Sequence, residues 1–252
     1  MSTLTDSPIL IFALSLPLLS ASAWIGGFVL RGDRQLSEES RESFGVVLAA
    51  SLTLLGLIIG FTFSMAISRY DQRKNYEEAE ANAIGTEYLR LDMLPADTAS
   101  AARALLRAYT EQRILFYTTR TAGAMAQVDT DTARLQRQLW SAVEIAAAAQ
   151  PDALRGLTVA GMNDVLNSQG YTQAEWWNRI PIAAWTLMVL IAVLCSAMVG
   201  YSGGRSRSRS ATLFILPLIV SISLFLIADI DSPRGGVIHV VPQNLMSLRA
   251  SL

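Results

Sequence analysis

Residues Ser43 to Ser68 read SFGVVLAASLTLLGLIIGFTFSMAIS, a run of 26 residues without a charged side chain. A bilayer core needs only about 20 apolar helical residues, so this run is long enough to span it. Small and polar residues recur along it at steps of three or four: Thr53, Gly56, Gly60, Ser64 and Ser68. On a helix turning about 100° per residue, these positions share an arc about 120° wide. The run therefore predicts a membrane-spanning helix with one small, polar face.

The same face continues past the apolar run into polar and charged residues. We call the whole set the polar stripe: Thr53, Gly56, Gly60, Ser64, Ser68, Asp71, Asn75, Glu78 and Asn82. Its steps average about 3.6 residues, which predicts one straight, continuous helix. The opposite face of the span is apolar and is expected to meet lipid: Leu54, Leu55, Ile58, Ile59, Met65 and Ala66.

Charged residues make up 16% of the 252 residues, whereas an ordinary soluble domain has about 25%. Four segments contain none of them: Pro8 to Leu30, Ser43 to Ser68, Ile180 to Ser202 and Ala211 to Ala228. Each is close to the length of a transmembrane helix. The first is expected to be a retained span, because the residues before it carry Asp6 and lack the positive charge of a signal peptide.

The sequence thus predicts an all-α protein with four transmembrane helices in two hairpins, residues 8–68 and 180–228. A helical extramembrane domain, residues 69–179, is inserted between spans 2 and 3, and residues 229–252 form a tail. Within the insert, periodicity predicts one helix ending near Met93 and three more. Those three are expected from near Thr98, from about Asp131 to Ala148, and after Pro151-Asp152. Trp176 and Trp177 are expected to anchor the third span at the bilayer interface.

The two short hairpin loops hold six arginines: Arg31, Arg34, Arg41, Arg205, Arg207 and Arg209. The other side has as many basic residues near the spans, but over a much longer length: Arg69, Arg73, Lys74, Arg179, Arg234 and Arg249. Positive charge in short loops favours the cytoplasmic side. We therefore expect a multi-pass protein of the cell (inner) membrane with cytoplasmic hairpin loops and an insert on the outer side. The net charge of −1 indicates no nucleic-acid partner.

Catalytic and metal-binding patterns are weak. Gly200 to Gly204 matches the G-x-S-x-G pattern around a nucleophilic Ser202, but the only histidine, His239, is predicted on the other side of the membrane. Cys195 is the only cysteine and lies within a span. The sequence predicts no enzyme, no metal site and no cofactor.

One acidic cluster has the composition of a di-metal site without its histidines: Glu77, Glu78, Glu80 and Glu87. Arg73 and Lys74 supply partners at helical spacing, so a solvated face is expected.

Charged and polar residues outside the apolar runs form a second group of candidates, with structural or gating roles: Arg69, Glu80, Asn82, Arg179, Asp229, Asp231 and Arg234. Arg69 and Arg179 flank spans 2 and 3 at the depth of Asp229. We therefore hypothesise that Asp229 pairs with one of these arginines, although a simple polar helix stop before Pro233 remains open.

Two stretches, GFTFSMA (60–66) through EANAIGT (80–86) and ADIDSPRGG (228–236), together with the layout of two plus two spans, resemble the bestrophin-like family of bacterial membrane proteins. That resemblance implies a distant relation to bestrophins, which are pentameric anion channels with a cytosolic helical domain and a pore lined by the second span. Bestrophin pores narrow at a neck of large apolar residues, whereas Phe61 and Phe63 lie off the polar stripe here.

Two functions follow. The first is a homo-oligomeric channel for small inorganic ions, anions favoured, with span 2 lining the pore through Thr53, Gly56, Gly60, Ser64, Ser68, Asp71 and Asn75. The second is a non-conducting membrane scaffold or sensor whose insert binds a partner and whose small residues only pack helices together.

Overall fold

The computed structural model describes residues 6–30, 37–203 and 210–252, and these are helical with no strand among them. Span-length helices are α1 (Pro8–Ile25, continued by a π-helical turn at Gly26–Leu30), α2 (Glu38–Arg90), α6 (Ile182–Gly203) and α7 (Ser210–Asp231). The other helices are α3 (Ala96–Thr118), α4 (Ala122–Ala149), α5 (Ala153–Trp177) and the short α8 (Gln243–Ser251). Four of the helices are long and apolar enough to cross a membrane. The all-α, four-span prediction is confirmed.

Helix bounds differ from the predicted ones at several ends. α2 ends at Arg90, and a 3-10 turn at Leu91–Met93 leads to Pro95, which cannot continue the helix. α4 begins at Ala122, nine residues before the predicted start at Asp131, and its first turns are rich in alanine, the strongest helix former. α5 begins where predicted, and the Asp152 side chain accepts a hydrogen bond from the Arg155 backbone N–H at 2.8 Å.

The chain divides into two compact units: residues 1–68 with 179–239, and residues 69–178 with 240–252. We call the first the membrane unit and the second the helical unit. In the membrane unit, α1 packs against α6 and α7. The Ser22 hydroxyl donates to the Val193 carbonyl at 2.8 Å, and the rings of Phe12 and Phe225 lie 6.3 Å apart.

Glycines allow α1 and α6 to approach closely within the membrane unit. A Cβ added at Gly26 would stand 2.0 Å from the Ala197 carbonyl oxygen, and one at Gly200 would stand 1.9 Å from the Ala23 carbonyl oxygen. Backbone atoms cannot move aside cheaply, so both positions require glycine. Gly200, which sequence analysis placed in a G-x-S-x-G pattern, is therefore a helix-packing residue.

The helical unit has one apolar core built from α2, α3, α4, α5 and α8. α4 buries one row of apolar residues in this core: Leu135, Leu139, Val143 and Ala146. Trp176 is also buried here, with its ring 4.7 Å from that of Phe116. The prediction that Trp176 anchors the bilayer interface is therefore wrong, because its ring completes this core; Trp177 is 74% exposed.

Candidate functional site

The polar stripe lies on α2, and every one of its nine members is exposed. In the membrane unit, three residues of α2 on the other side of the helix are buried: Leu55, Thr62 and Ala66. α2 also contacts α6 there, where the rings of Phe44 and Tyr201 lie 5.2 Å apart. Ile58 and Ile59 on this face are half-buried, and Leu54 and Met65 are exposed, so the chain covers the face opposite the stripe only in part. That its exposed members meet lipid stays a prediction.

The small residues of the stripe make no close packing within the described chain. No described atom lies within 4 Å of a Cβ added at Gly56 or at Gly60. The Thr53 hydroxyl donates to the Ala49 carbonyl of its own helix at 2.9 Å. Unlike Gly26 and Gly200, these glycines leave an open face on the single chain.

In the helical unit, α2 has an exposed face and a buried face, and both carry charge. The stripe members Asp71, Asn75, Glu78 and Asn82 are exposed. The buried face recurs at steps of four and three: Arg73, Glu77, Glu80, Ile84, Glu87 and Leu91. The predicted solvated glutamate face is therefore wrong for three of the four glutamates, since only Glu78 is exposed. Among the described residues, no three His, Cys, Asp or Glu side chains gather as metal ligands would.

Glu80 occupies the centre of that buried face. The Arg113 Nε of α3 donates to Glu80 Oε1, and both side chains are almost fully buried. Thr172 of α5 and Tyr117 of α3 add hydroxyl hydrogen bonds to Glu80 Oε2 at 3.3 and 3.5 Å. Arg113 also lies over the Phe116 ring, 4.4 Å from its centroid. Glu80 therefore ties three helices together through one carboxylate.

Glu77 joins α2 to the C-terminal helix α8. Its Oε1 accepts the Leu245 backbone N–H at 2.9 Å, and its Oε2 accepts the Asn244 side-chain amide at 2.6 Å. Burial raises the pKa of Glu77 above its usual value, and the hydrogen bonds from Leu245 and Asn244 oppose that rise. Because the N-terminus of α8 supplies these donors, the carboxylate also lies where a helix dipole favours negative charge.

The boundary cluster in the membrane unit differs from the hypothesised pairing. Arg179 donates to Asp6 at 2.7 Å and to Asp231 at 3.2 Å. Asp231 also accepts the backbone N–H of Ile180 at 3.3 Å. Asp229 instead accepts two backbone N–H groups, from Val237 and Ile238, at 2.8 Å each. The hypothesised pairing of Asp229 with Arg179 is therefore wrong, because Arg179 binds Asp6 and Asp231 while the loop after α7 folds back onto the Asp229 carboxylate. The alternative pairing of Asp229 with Arg69 stays a prediction.

The loop after α7 is closely packed. A Cβ at Gly235 would stand 2.0 Å from the Asp6 carbonyl oxygen, and one at Gly236 would stand 2.4 Å from the Asp229 carbonyl oxygen. Arg234 is half-buried in the same loop, and Arg69 is half-buried on α2. The 228–236 stretch therefore serves as a structural loop at the end of α7.

Ser202 and His239 are not brought together as a hydrolytic pair. Ser202 lies in the last turn of α6, and His239 Nδ1 lies 2.9 Å from the Val237 carbonyl oxygen beyond the end of α7. The first turn of α6 lies beside the last turn of α7, because Asp231 of α7 accepts the backbone N–H of Ile180 just before α6. At about 1.5 Å per residue, the length of α6 separates Ser202 from that first turn by roughly 30 Å.

Sequence reasoning missed Arg113 and placed Glu87 on a solvated face. Arg113 stands at helical spacing from Leu106 and Tyr109 on the apolar row of α3, and a charge on an apolar row is the signal of a buried partner. Glu87 is buried on the same face of α2 as Glu77 and Glu80. The arginines Arg31, Arg34, Arg205, Arg207 and Arg209, used to predict orientation, lie outside the described residues.

A family model for the bestrophin-like domain matches residues 13–245. The chain belongs to the bestrophin-like family. Two crystal structures of a bacterial bestrophin homologue from Klebsiella pneumoniae, one of them a point variant, resemble this bestrophin-like protein with TM-scores of 0.64 and 0.63. Each is 14% identical, and the match covers 96% of this chain and 98% of the other.

A crystal structure of a membrane protein variant is similar to the same extent, with a TM-score of 0.64 and 15% identity over 96% of this chain and 98% of that one. At this identity the likeness establishes the fold. A comparison with curated proteins found no match. This bestrophin-like protein therefore has the helical fold of bacterial bestrophin homologues across nearly its whole described length.

Proposed function

We propose that this protein is a homo-oligomeric ion channel of the cell membrane, with anions favoured, whose pore is lined by the polar stripe of α2. The observation that carries the proposal is the open face of α2 within the membrane unit. Thr53, Gly56, Gly60, Ser64 and Ser68 are all exposed there, while buried residues such as Leu55 lie on the opposite side.

A polar face left open on a single chain needs another environment inside a bilayer. Hydroxyl groups and bare glycine backbone lose hydration when they face lipid, so such faces turn toward protein or water. Within one copy, nothing packs on Gly56 or Gly60. Several copies arranged around one axis supply either a water-filled pore or a close contact between subunits, and membrane bundles use small residues for both.

Neutral polar groups suit ion passage because they contact a partly dehydrated ion without trapping it. The span carries hydroxyls and backbone but no charge. Asp71 and Asn75 continue the stripe beyond the span, and both are exposed in the helical unit. We assign them to the wider vestibule of the channel. The preference for anions follows from the family resemblance.

Flux through liposomes carrying the purified protein tests this proposal. Wild-type protein is expected to release a chloride gradient, and Ser64→Trp is expected to reduce the rate at least tenfold, because an indole ring fills the axis. Parallel potassium gradients report selectivity. Met65→Trp is the matched control: it adjoins Ser64 on the same helix, is exposed, and lies off the stripe.

An equal loss of ion flux in Ser64→Trp and Met65→Trp would contradict the assignment of the stripe to the pore. A sealed wild-type liposome containing correctly folded oligomer would contradict conduction altogether and favour the scaffold. Orientation is tested separately with an accessibility tag in the exposed start of α4, for which we expect labelling from the periplasmic side.

A further inference from the structure

Glu87 is a buried carboxyl that no hydrogen bond satisfies. It lies on α2 in the helical unit, is 0% exposed, and neither of its oxygens has a hydrogen-bond partner among the described residues. The other buried glutamates of the same face, Glu77 and Glu80, are both fully engaged. A buried carboxylate without a partner is strongly disfavoured, so the group keeps its proton instead.

The space around Glu87 is shaped by a glycine on α5. A Cβ added at Gly161 would stand 2.0 Å from Glu87 Oε2 and 2.4 Å from Arg90 Nη1. Both head groups therefore share the space that a side chain on α5 would fill. Thr158, one turn earlier on α5, donates to the Arg90 carbonyl oxygen at 3.3 Å. The end of α2 is thus held against α5 around a carboxyl and a guanidinium that lie close without bonding.

Charges on both helices act on this carboxyl. Burial is the largest influence and raises the pKa of Glu87 to about 8, the Arg90 guanidinium lowers it, and the Asp164 carboxylate of α5 raises it. The arginines of α3 bind other groups. Arg103 pairs with Asp92, Arg107 donates to the Tyr88 hydroxyl, and Arg113 pairs with Glu80.

We propose that Glu87 is a proton-binding site that makes the contact between α2 and α5 sensitive to pH. In its neutral form the carboxyl fits the space above Gly161 without a partner. Loss of the proton creates a buried anion beside Arg90, and the two head groups must then rearrange over Gly161 to pair or to reach water. The Glu87 and Arg90 head groups thus have two arrangements over Gly161, one for the protonated and one for the ionised carboxyl, and pH sets their populations.

The direction of the pH effect follows from linkage. The pKa of Glu87 is raised from 4.5 in the unfolded reference to about 8 in the folded protein. Its contribution to stability is therefore complete below pH 4.5, falls as pH rises from there to about 8, and is constant above that value.

Infrared titration of the intact protein in detergent measures the proton directly. We expect the difference between wild type and Glu87→Gln to contain one protonated carboxylic-acid band that disappears with a midpoint near pH 8. Glu77 is present in both proteins and cancels. Glu78→Gln, an exposed neighbour on the same helix, is the control and should remove no such band at neutral pH.

Thermal unfolding supplies a second measurement. Glu87→Met places an apolar side chain of similar length in the site, so the Tm difference between Glu87→Met and wild type should widen from about pH 5 to about pH 8 and then level off. Hydrogen exchange in α5 of the wild type should rise over the same range after correction for intrinsic rates, and that rise should be absent in Glu87→Met.

An ordinary midpoint near 4.5 in the infrared difference, or a Tm difference that does not vary with pH, would overturn the proposal. These readouts concern the helical unit and do not depend on ion conduction, so a sealed liposome leaves them unaffected.

Discussion

At the scale of single residues, a buried charge on α2 determines how that helix is oriented against its neighbours in the helical unit. Glu80 and Arg113 are 33 residues apart in the chain, and each is shielded almost completely from water. A buried ion pair contributes little net stability over an apolar pair of the same shape, but removing one partner leaves an uncompensated charge. The hydrogen bonds that Glu80 accepts from Thr172 and Tyr117 fix the rotation of α2 relative to α3 and α5.

Replacing one partner of this pair should therefore be far more damaging than replacing both. We expect Glu80→Ala to lower the free energy of unfolding by about 3–5 kcal/mol, because Arg113 remains buried and unpaired. The double variant Glu80→Leu with Arg113→Met should recover most of that loss. Chemical unfolding in detergent followed by circular dichroism measures both.

Glu78→Ala supplies the matched control for this prediction. Glu78 lies on the exposed face of the same helix, so its replacement should change stability by no more than about 0.5 kcal/mol. If the double variant instead loses the sum of the unfolding free energies that the two single variants lose, Glu80 and Arg113 do not act as a pair.

At the scale of secondary-structure elements, two sets of glycines have different structural roles, although each of these glycines lies four residues from another small residue. Gly26 and Gly200 lie at a helix contact inside the membrane unit, where backbone carbonyls leave no room for a Cβ. Gly56 and Gly60 leave an open face on α2. Sequence spacing alone could not separate the two sets, because a small-residue repeat is the same whether its partner lies in the same chain, in another copy, or in water.

Alanine substitution should distinguish the two sets. Gly26→Ala and Gly200→Ala should each lower stability by about 1–3 kcal/mol, because the added methyl group meets backbone. Gly56→Ala should leave the stability of the single chain unchanged or slightly raised, since alanine is the better helix former by about 1 kcal/mol.

Unfolding of the monomeric protein in a dissociating detergent measures this contrast. Comparable losses at Gly26 and Gly56 would mean that α2 packs within the chain through its stripe, contrary to the open face described above.

At the scale of the whole molecule, the open stripe raises the question of what covers it. A single chain leaves five small and polar positions of a span exposed, and a bilayer is a poor solvent for them. Association of identical copies around an axis covers the stripe without any new sequence feature, since each copy presents the same face.

Cysteine crosslinking tests this arrangement independently of ion flux. In a background with the buried Cys195 replaced by serine, Ser64→Cys should form disulfide-linked dimers under mild oxidation in membranes, because the proposed assembly places this residue on the shared axis. Met65→Cys, exposed but off the stripe, should form at least several-fold fewer. Crosslinking of equal yield at both positions would place the stripe away from the axis.

Sequence determined the elements of this protein because hydropathy and helical period are local properties. A segment such as Ser43 to Ser68 carries its own transfer free energy, so the four spans, the helical insert and the course of the polar stripe on α2 could be predicted without tertiary structure. The charged face of α2 beyond the span could not be interpreted in the same way. A glutamate has the same local signature whether it meets water or a buried partner.

Only the tertiary structure decided which of those charges are buried and what they bind. Glu77 finds Asn244 at a separation of 167 residues, and Arg179 finds Asp6 at 173. Such partners are chosen by packing across the chain, and no spacing near Glu77 or Arg179 encodes them. The same packing left one face of α2 open from Thr53 to Ser68, which makes a pattern in the sequence into a candidate pore wall.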